Sequence, residues 1–283
     1  MSNDTTIKKP DYLPEKNQHC VCWFGTQETI DKKYIVSVSG KNDRFGSQYC
    51  AQMSGFVFAR FHNNIYRFSP FFGDKHSLMA SEFCGMKSDD DDEITREPEI
   101  RFHRHCDLVH NNNEVDKYFN TSVIHELREM YYSTWKPEPI KCDVAIHIRR
   151  GDVGCIDKRG KKNPDGTPYR HWLQRYDSNE YYVNAINFIR NEMKNPNLKI
   201  AIFSQGSKSN FTEFCNDENV SLCLDGDWRI AYHSLVEAPI LITSISEFAW
   251  TAGVLSNGIV YKNDRMFRNP LGHWKAIKSN NQI

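Results

Sequence analysis

Between residues 143 and 261 the chain alternates short β-branched or apolar runs with stretches of helical spacing, and few folds accept that pattern. The runs fall at 143–148, 199–203, 220–224, 240–242 and 258–261. They are short, apolar and bounded by turn residues, as fully buried parallel strands are. The intervening segments read as helices at 178–193, 228–236 and 247–255, with a short one at 211–215. In the first, Tyr182, Ala185, Ile186, Ile189 and Met193 share one face. Strand and helix in regular alternation predict a doubly wound parallel sheet, with ligand-binding groups outside the carboxyl ends of its strands.

The first half is less regular. A β-branched strand at 34–38 runs through a polar, glycine-containing turn into a helix whose stripe is Tyr49, Met53, Phe56, Val57 and Arg60. The turn, with Gly46 and Gln48, can aim backbone N–H groups at an anion or a sugar. A second strand follows near 65–68, then an acidic run at 88–93 that reads as a solvated loop. The basic, histidine-bearing stretch 101–110 reads as a strand face, and 122–135 as a helix with Val123, Leu127, Met130 and Tyr131 on one side. Pro137 and Pro139 stop that helix, since each lacks an N–H and disfavours helix in the residue before it. The expected organisation is a polar arm at 1–18, a Rossmann-like domain at 19–136 and a second, nucleotide-sugar-binding domain at 141–283.

Lys plus Arg equals Asp plus Glu at 36 each, so no global field favours nucleic acid or an anionic membrane. Nine scattered cysteines, an odd number, favour thiols over a disulfide framework. With no leader-like N-terminus and no apolar run of membrane-spanning length, the expected location is cytoplasmic. His19, Cys20 and Cys22 do not have zinc-site spacing, and no metal site is expected.

The strand ends carry the chemistry. His147, Arg149 and Arg150 leave the first strand of the second half, and a planar guanidinium matches a pair of phosphate oxygens. Ser204 ends the next strand. Ser244, Ser246, Glu247 and Phe248 open the helix at 247, whose free N–H groups and positive end suit a diphosphate. With an acid upstream at Asp225 or Asp227, these groups describe a nucleotide diphosphate site.

The peptide from His147 to Asp152 (His-Ile-Arg-Arg-Gly-Asp) resembles the His-x-Arg-Arg-x-Asp peptide shared by α1,2-, α1,6- and protein O-fucosyltransferases. The run from Ser244 to Ala252 is similar to their C-terminal Ser-x-Phe-Ser-Trp peptide, 201–205 to their middle strand, and 44–48 to their Gly-Gly-Leu-Gly-Asn-Gln turn. The resemblance spans about 34–70 and 142–262, in the same order. It implies a GT-B-like architecture, two Rossmann-like domains facing a cleft. It also implies an inverting, metal-independent glycosyltransferase that needs no cofactor and moves fucose from GDP-fucose to a glycan or glycoconjugate hydroxyl.

By position, Arg149 would bind the β-phosphate and stabilise the leaving GDP, and His147 would contact the nucleoside. Ser246, Glu247 and Phe248 would hold phosphates largely through backbone and hydroxyl groups, and Asp225 or Asp227 would accept from the guanine edge. A glutamate seven residues past the second arginine resembles the base of the core α1,6 enzymes; here that position is Asp157, with Asp152 as its rival. The chain departs from the pattern in lacking the double glycine near 46, in Ser47 where Asn is usual, and in Thr251 at the second tryptophan. Another nucleotide sugar, such as a xylose or rhamnose donor, and a catalytically inactive nucleotide- or glycan-binding relative are the alternatives.

Overall fold

The computed structural model describes residues 34–39, 43–73, 77–89, 99–102, 107–110, 115–151, 153, 175–266 and 268–277. The 1–18 arm, the His19–Cys22 stretch, most of the acidic run, residues 103–106, Asp152 and Asp157 lie outside them. The chain divides into two compact units, Met1–Thr134 and Trp135–Ile283. Both are α/β with parallel sheets, compatible with a Rossmann-like fold.

In the first unit the order is β1 (Ile35–Val38), α1 (Phe45–Phe61), β2 (Ile65–Arg67), α2 (Ser77–Cys84), β3 (Glu99–Phe102), α3 (Asp107–His110), α4 (Val115–Tyr118) and α5 (Thr121–Tyr132). The sheet runs β2-β1-β3, all parallel, with Val36 between Tyr66 and Ile100. The sequence pattern predicts one apolar stripe on α1, yet the helix is buried from Phe45 to Ala59 save for Ser47. The reason is tertiary: β1 and β2 cover one side, and α2 to α5 pack on the others. Gly55 permits the close approach, since a Cβ there would lie 2.6 Å from Val38 Cγ2.

The acidic run differs from its reading at its second residue. Asp89 receives two hydrogen bonds from Arg60, at 2.6 and 2.8 Å, and one from the Tyr66 amide at 2.7 Å. Arg60 also donates to Glu126 and lies over the Phe56 ring, so it ties β2, α1 and α5 together.

The second unit holds β4 (Val144–His147), α6 (Asn179–Glu192), β5 (Ile200–Ser204), β6 (Val220–Leu224), α7 (Trp228–Glu237), β7 (Ile240–Ile242), α8 (Glu247–Leu255), β8 (Ile259–Lys262) and β9 (Lys275–Ala276). The strands lie in the order β6-β5-β4-β7-β8-β9, all parallel, which is the 3-2-1-4-5-6 order of doubly wound sheets. The stretch expected to be helical at 211–215 forms 3-10 turns at Lys208–Asn210 and Thr212–Phe214, because a reciprocal Ser207–Asn210 capping box closes the first turn tightly.

Val144, Ile146 and Ile148 point to one face, where they pack with Ile200, Ile202, Ile240, Ile242 and the Tyr182–Ile186–Ile189 stripe of α6. Side-chain alternation therefore turns Ala145 and His147 to the other face. Each long helix of this unit starts on a side-chain cap: Ser178 accepts from Tyr181 N, Asp227 from Arg229 N and Ser246 from Phe248 N. Among the described residues, no helix is long and apolar enough to cross a membrane.

Candidate functional site at the carboxyl edge of the six-stranded sheet

Because every strand of this sheet is parallel, all its carboxyl ends lie along one edge. β4 and β7 are the neighbours at which the winding direction reverses. The chain leaves β4 toward β5 and leaves β7 toward β8, so the loops part and a crevice opens between them. His147 at the end of β4 and Ser244 just past β7 meet there, Nδ1 and Oγ being 2.6 Å apart. Phe248 on the first turn of α8 packs at 5.2 Å on the imidazole and edge-on at 5.1 Å against Tyr232 of α7. Ser246 N donates to Ser244 O at 2.7 Å, so the turn leading into α8 is tight and its cap is fixed before the helix begins. Three of the expected residues, His147, Ser244 and Phe248, are thus in mutual reach.

The two arginines separate. Arg150 has the parity of Ile146 and Ile148 and is buried on the α6 side. It donates to Asn179 Oδ1 at 2.6 Å and to Arg149 O at 2.9 Å, and lies 4.3 Å over the Tyr176 ring. Asn179 relays the contact, donating to Asn210 O at 2.6 Å and to Glu213 at 2.9 Å. That hydrogen bond leads the causes holding Glu213 below the usual carboxylate range. Arg149 has the parity of His147 and is only partly buried. Gly151 then takes φ +68°, a left-handed conformation that turns the chain away from the strand direction and strains any residue with a Cβ.

Farther along the edge, Ser204 Oγ donates to Ile148 O at 2.7 Å and so links the ends of β5 and β4. Asp225, just past β6, adopts φ +50° and accepts from Gly206 N at 3.1 Å, closing the β5 and β6 loops on each other. Asp227 caps α7 and pairs with Arg229. Asp225 and Asp227 both sit on the expected edge, at its β6 end, with side chains already engaged in local contacts.

On the β8 side lie groups that sequence reasoning missed. Asp177 is buried. It accepts from Asn263 Nδ2 at 2.8 Å and pairs with Arg265 at 2.9 Å. Burial raises its pKa above the ordinary aspartate value, and Arg265 and Asn263 offset this only in part. Arg268 meets Glu247 with side chains only 9% and 11% exposed. The one sequence signal for such a partner was an acid, Glu247, at a helix start expected to take phosphates, with basic residues clustered after the last apolar run.

Gly46 and Gln48 belong to the first unit. Gly46 lies in the buried first turn of α1. Gln48 donates to Asp43 O and Phe72 O, at 2.6 and 2.9 Å, and accepts from Phe72 N at 2.8 Å, so its amide holds two loops by their backbones.

Among the described residues, no group of three or more His, Cys, Asp or Glu is placed to hold a metal ion. No protein-family model matches the chain, and no curated protein matches it significantly. Fold and site together define an α/β protein in which polar side chains from separate strands meet at the switch point of a parallel sheet.

Proposed function

We propose that the protein is an inverting glycosyltransferase of GT-B type that takes a nucleotide diphosphate sugar, GDP-fucose first among them, and passes the sugar to a glycan or glycoconjugate hydroxyl. The observation that carries the reading is the His147–Ser244 contact at the β4–β7 switch point, beside the capped start of α8. The resemblance of these peptides to fucosyltransferase peptides is what gives the same residues donor roles in this reading, and the topology makes neighbours of peptides that are 97 positions apart.

In this reading the diphosphate lies over the start of α8, where backbone N–H groups and the positive helix end face it. Arg149, which shares the parity of His147, would meet the same diphosphate. As the acceptor oxygen bonds to the anomeric carbon, the bond from that carbon to the β-phosphate oxygen breaks. The electron pair stays on GDP, where the fixed guanidinium and helix N–H groups meet the growing charge. The acceptor proton passes to a carboxylate, Asp157 or Asp152.

The test is a donor screen by thermal unfolding in EDTA. GDP-fucose at about 100 times its dissociation constant adds roughly 2.7 kcal/mol of stability by mass action. A shift with UDP-sugars alone overturns the fucose donor, and no shift with any nucleotide sugar overturns the transferase reading.

A further inference from the structure

We infer that Arg268 is a positioning residue: it cancels the charge of Glu247, so that the first turn of α8 can take an anionic diphosphate. The inference rests on the nucleotide-sugar reading above and extends it to a residue that has no counterpart among the recognised peptides.

Glu247 is the first residue of α8, directly after the Ser246 cap. A carboxylate there is favourable to the helix itself, because it faces the positive end of the dipole. Helix stability alone therefore does not call for a buried arginine. A second anion at the same helix end is another matter, since it would meet that carboxylate at close range in a poorly solvated place. Arg268 answers this with Nε at 3.0 Å and Nη2 at 2.5 Å from Glu247 Oε1.

The approach of Arg268 is built in from both sides of the sequence. Asn263 N donates to Thr243 Oγ1 at 3.2 Å, which lays the chain after β8 along the β7–α8 turn. Arg265 N donates to Asn263 Oδ1 at 2.8 Å and rigidifies that segment. Beyond the arginine, Trp250 Nε1 donates to Asn269 O at 3.1 Å, so α8 itself holds the far end. A guanidinium is thus carried 21 positions forward in sequence and returned to the helix start that must be neutral.

The experiment is calorimetric titration of the full chain with GDP and with uncharged guanosine. Arg268→Gln lowers GDP affinity about tenfold or more while guanosine affinity stays within about threefold, because only the diphosphate meets the uncompensated charge. Glu247→Gln, which keeps the backbone N–H groups of that turn, tightens GDP binding about threefold or more, because the Arg268 charge is then left to the diphosphate. The double variant E247Q/R268Q recovers GDP affinity to within about threefold of wild type, and what separates this from a purely structural pair is that the loss and recovery are confined to GDP, whereas a structural pair moves GDP and guanosine together.

Equal losses for GDP and guanosine in R268Q, or a double variant no better than R268Q, overturn the inference. If R268Q does not fold, the isosteric E247Q decides: unchanged or weaker GDP binding by this variant sinks the idea. Wild-type protein that binds neither GDP nor guanosine removes the nucleotide reading and the inference with it. Wild-type binding with the wrong charge pattern removes the inference alone.

Discussion

The two units end their parallel strands in different ways. Along the carboxyl edge of the six-stranded sheet, His147, Ser244 and Phe248 come from separate elements and converge beside a capped helix. At the corresponding turn of the three-stranded sheet, the polar groups are engaged in holding loops. Gln48 is bonded to the backbone of Asp43 and Phe72, and Ser37 donates to Glu99 across the strand pair. Phe72, Leu78 and Met79 are exposed nearby, beside the exposed Asp43 and Arg44 of the turn itself. Similar strand–turn–helix units thus give a convergence of side chains from several strands in one case and a turn bonded to its own loops in the other. The difference lies in the side chains at the two edges, since the β2-β1-β3 order also reverses its winding at β1.

That contrast can be broken at three residues. Replacing Arg149 with Ala is expected to have the largest effect, lowering kcat/KM with GDP-fucose by about a thousandfold, roughly 4 kcal/mol, with the urea midpoint nearly unchanged. Steady-state kinetics beside equilibrium unfolding checks it, and wild-type kinetics in a folded variant would take Arg149 out of the crevice. Arg150→Met reverses the pattern: it strips donors from Asn179 and the Arg149 carbonyl and costs about 3 kcal/mol of stability, while the folded fraction still binds GDP. An unchanged urea midpoint with lost GDP binding would return Arg150 to the site. Gln48→Ala should cost about 2 kcal/mol and leave the GDP dissociation constant alone, since its hydrogen bonds all run to backbone. Were Gln48→Ala to weaken GDP binding at constant stability, the two edges would no longer differ in kind.

Much of the second unit is legible in its residues. β4, β5 and β7 announce themselves because buried parallel strands must be apolar throughout, and α8 because Ser246 caps a run of buried residues; the partly exposed β6 and β8 are marked by their short length between turn residues. β9 has two exposed residues, Lys275 and Ala276, and β3 is a charged edge strand, Glu99 to Phe102; neither carries a pattern that demands a sheet. The Arg149–Arg150 division follows from strand alternation and is visible beforehand. The Glu247–Arg268 and Asp89–Arg60 pairs are not. Each joins elements far apart in sequence, and a charge shows its partner only after the backbone has brought the two together. The same holds for Asp177, whose burial comes from packing and not from its own polarity.

The His147–Ser244 contact also bears on how the molecule comes into being. Closing it joins positions 97 apart, with β5, β6 and their helices formed in between, so it ranks among the costliest loop closures in the unit. Topologies dominated by such distant parallel pairings fold slowly. On a ribosome the crevice is incomplete until the residues of α8 have emerged. The capacity to hold a ligand there should therefore appear abruptly and late in refolding, which makes binding a sharper clock of native assembly than helix content.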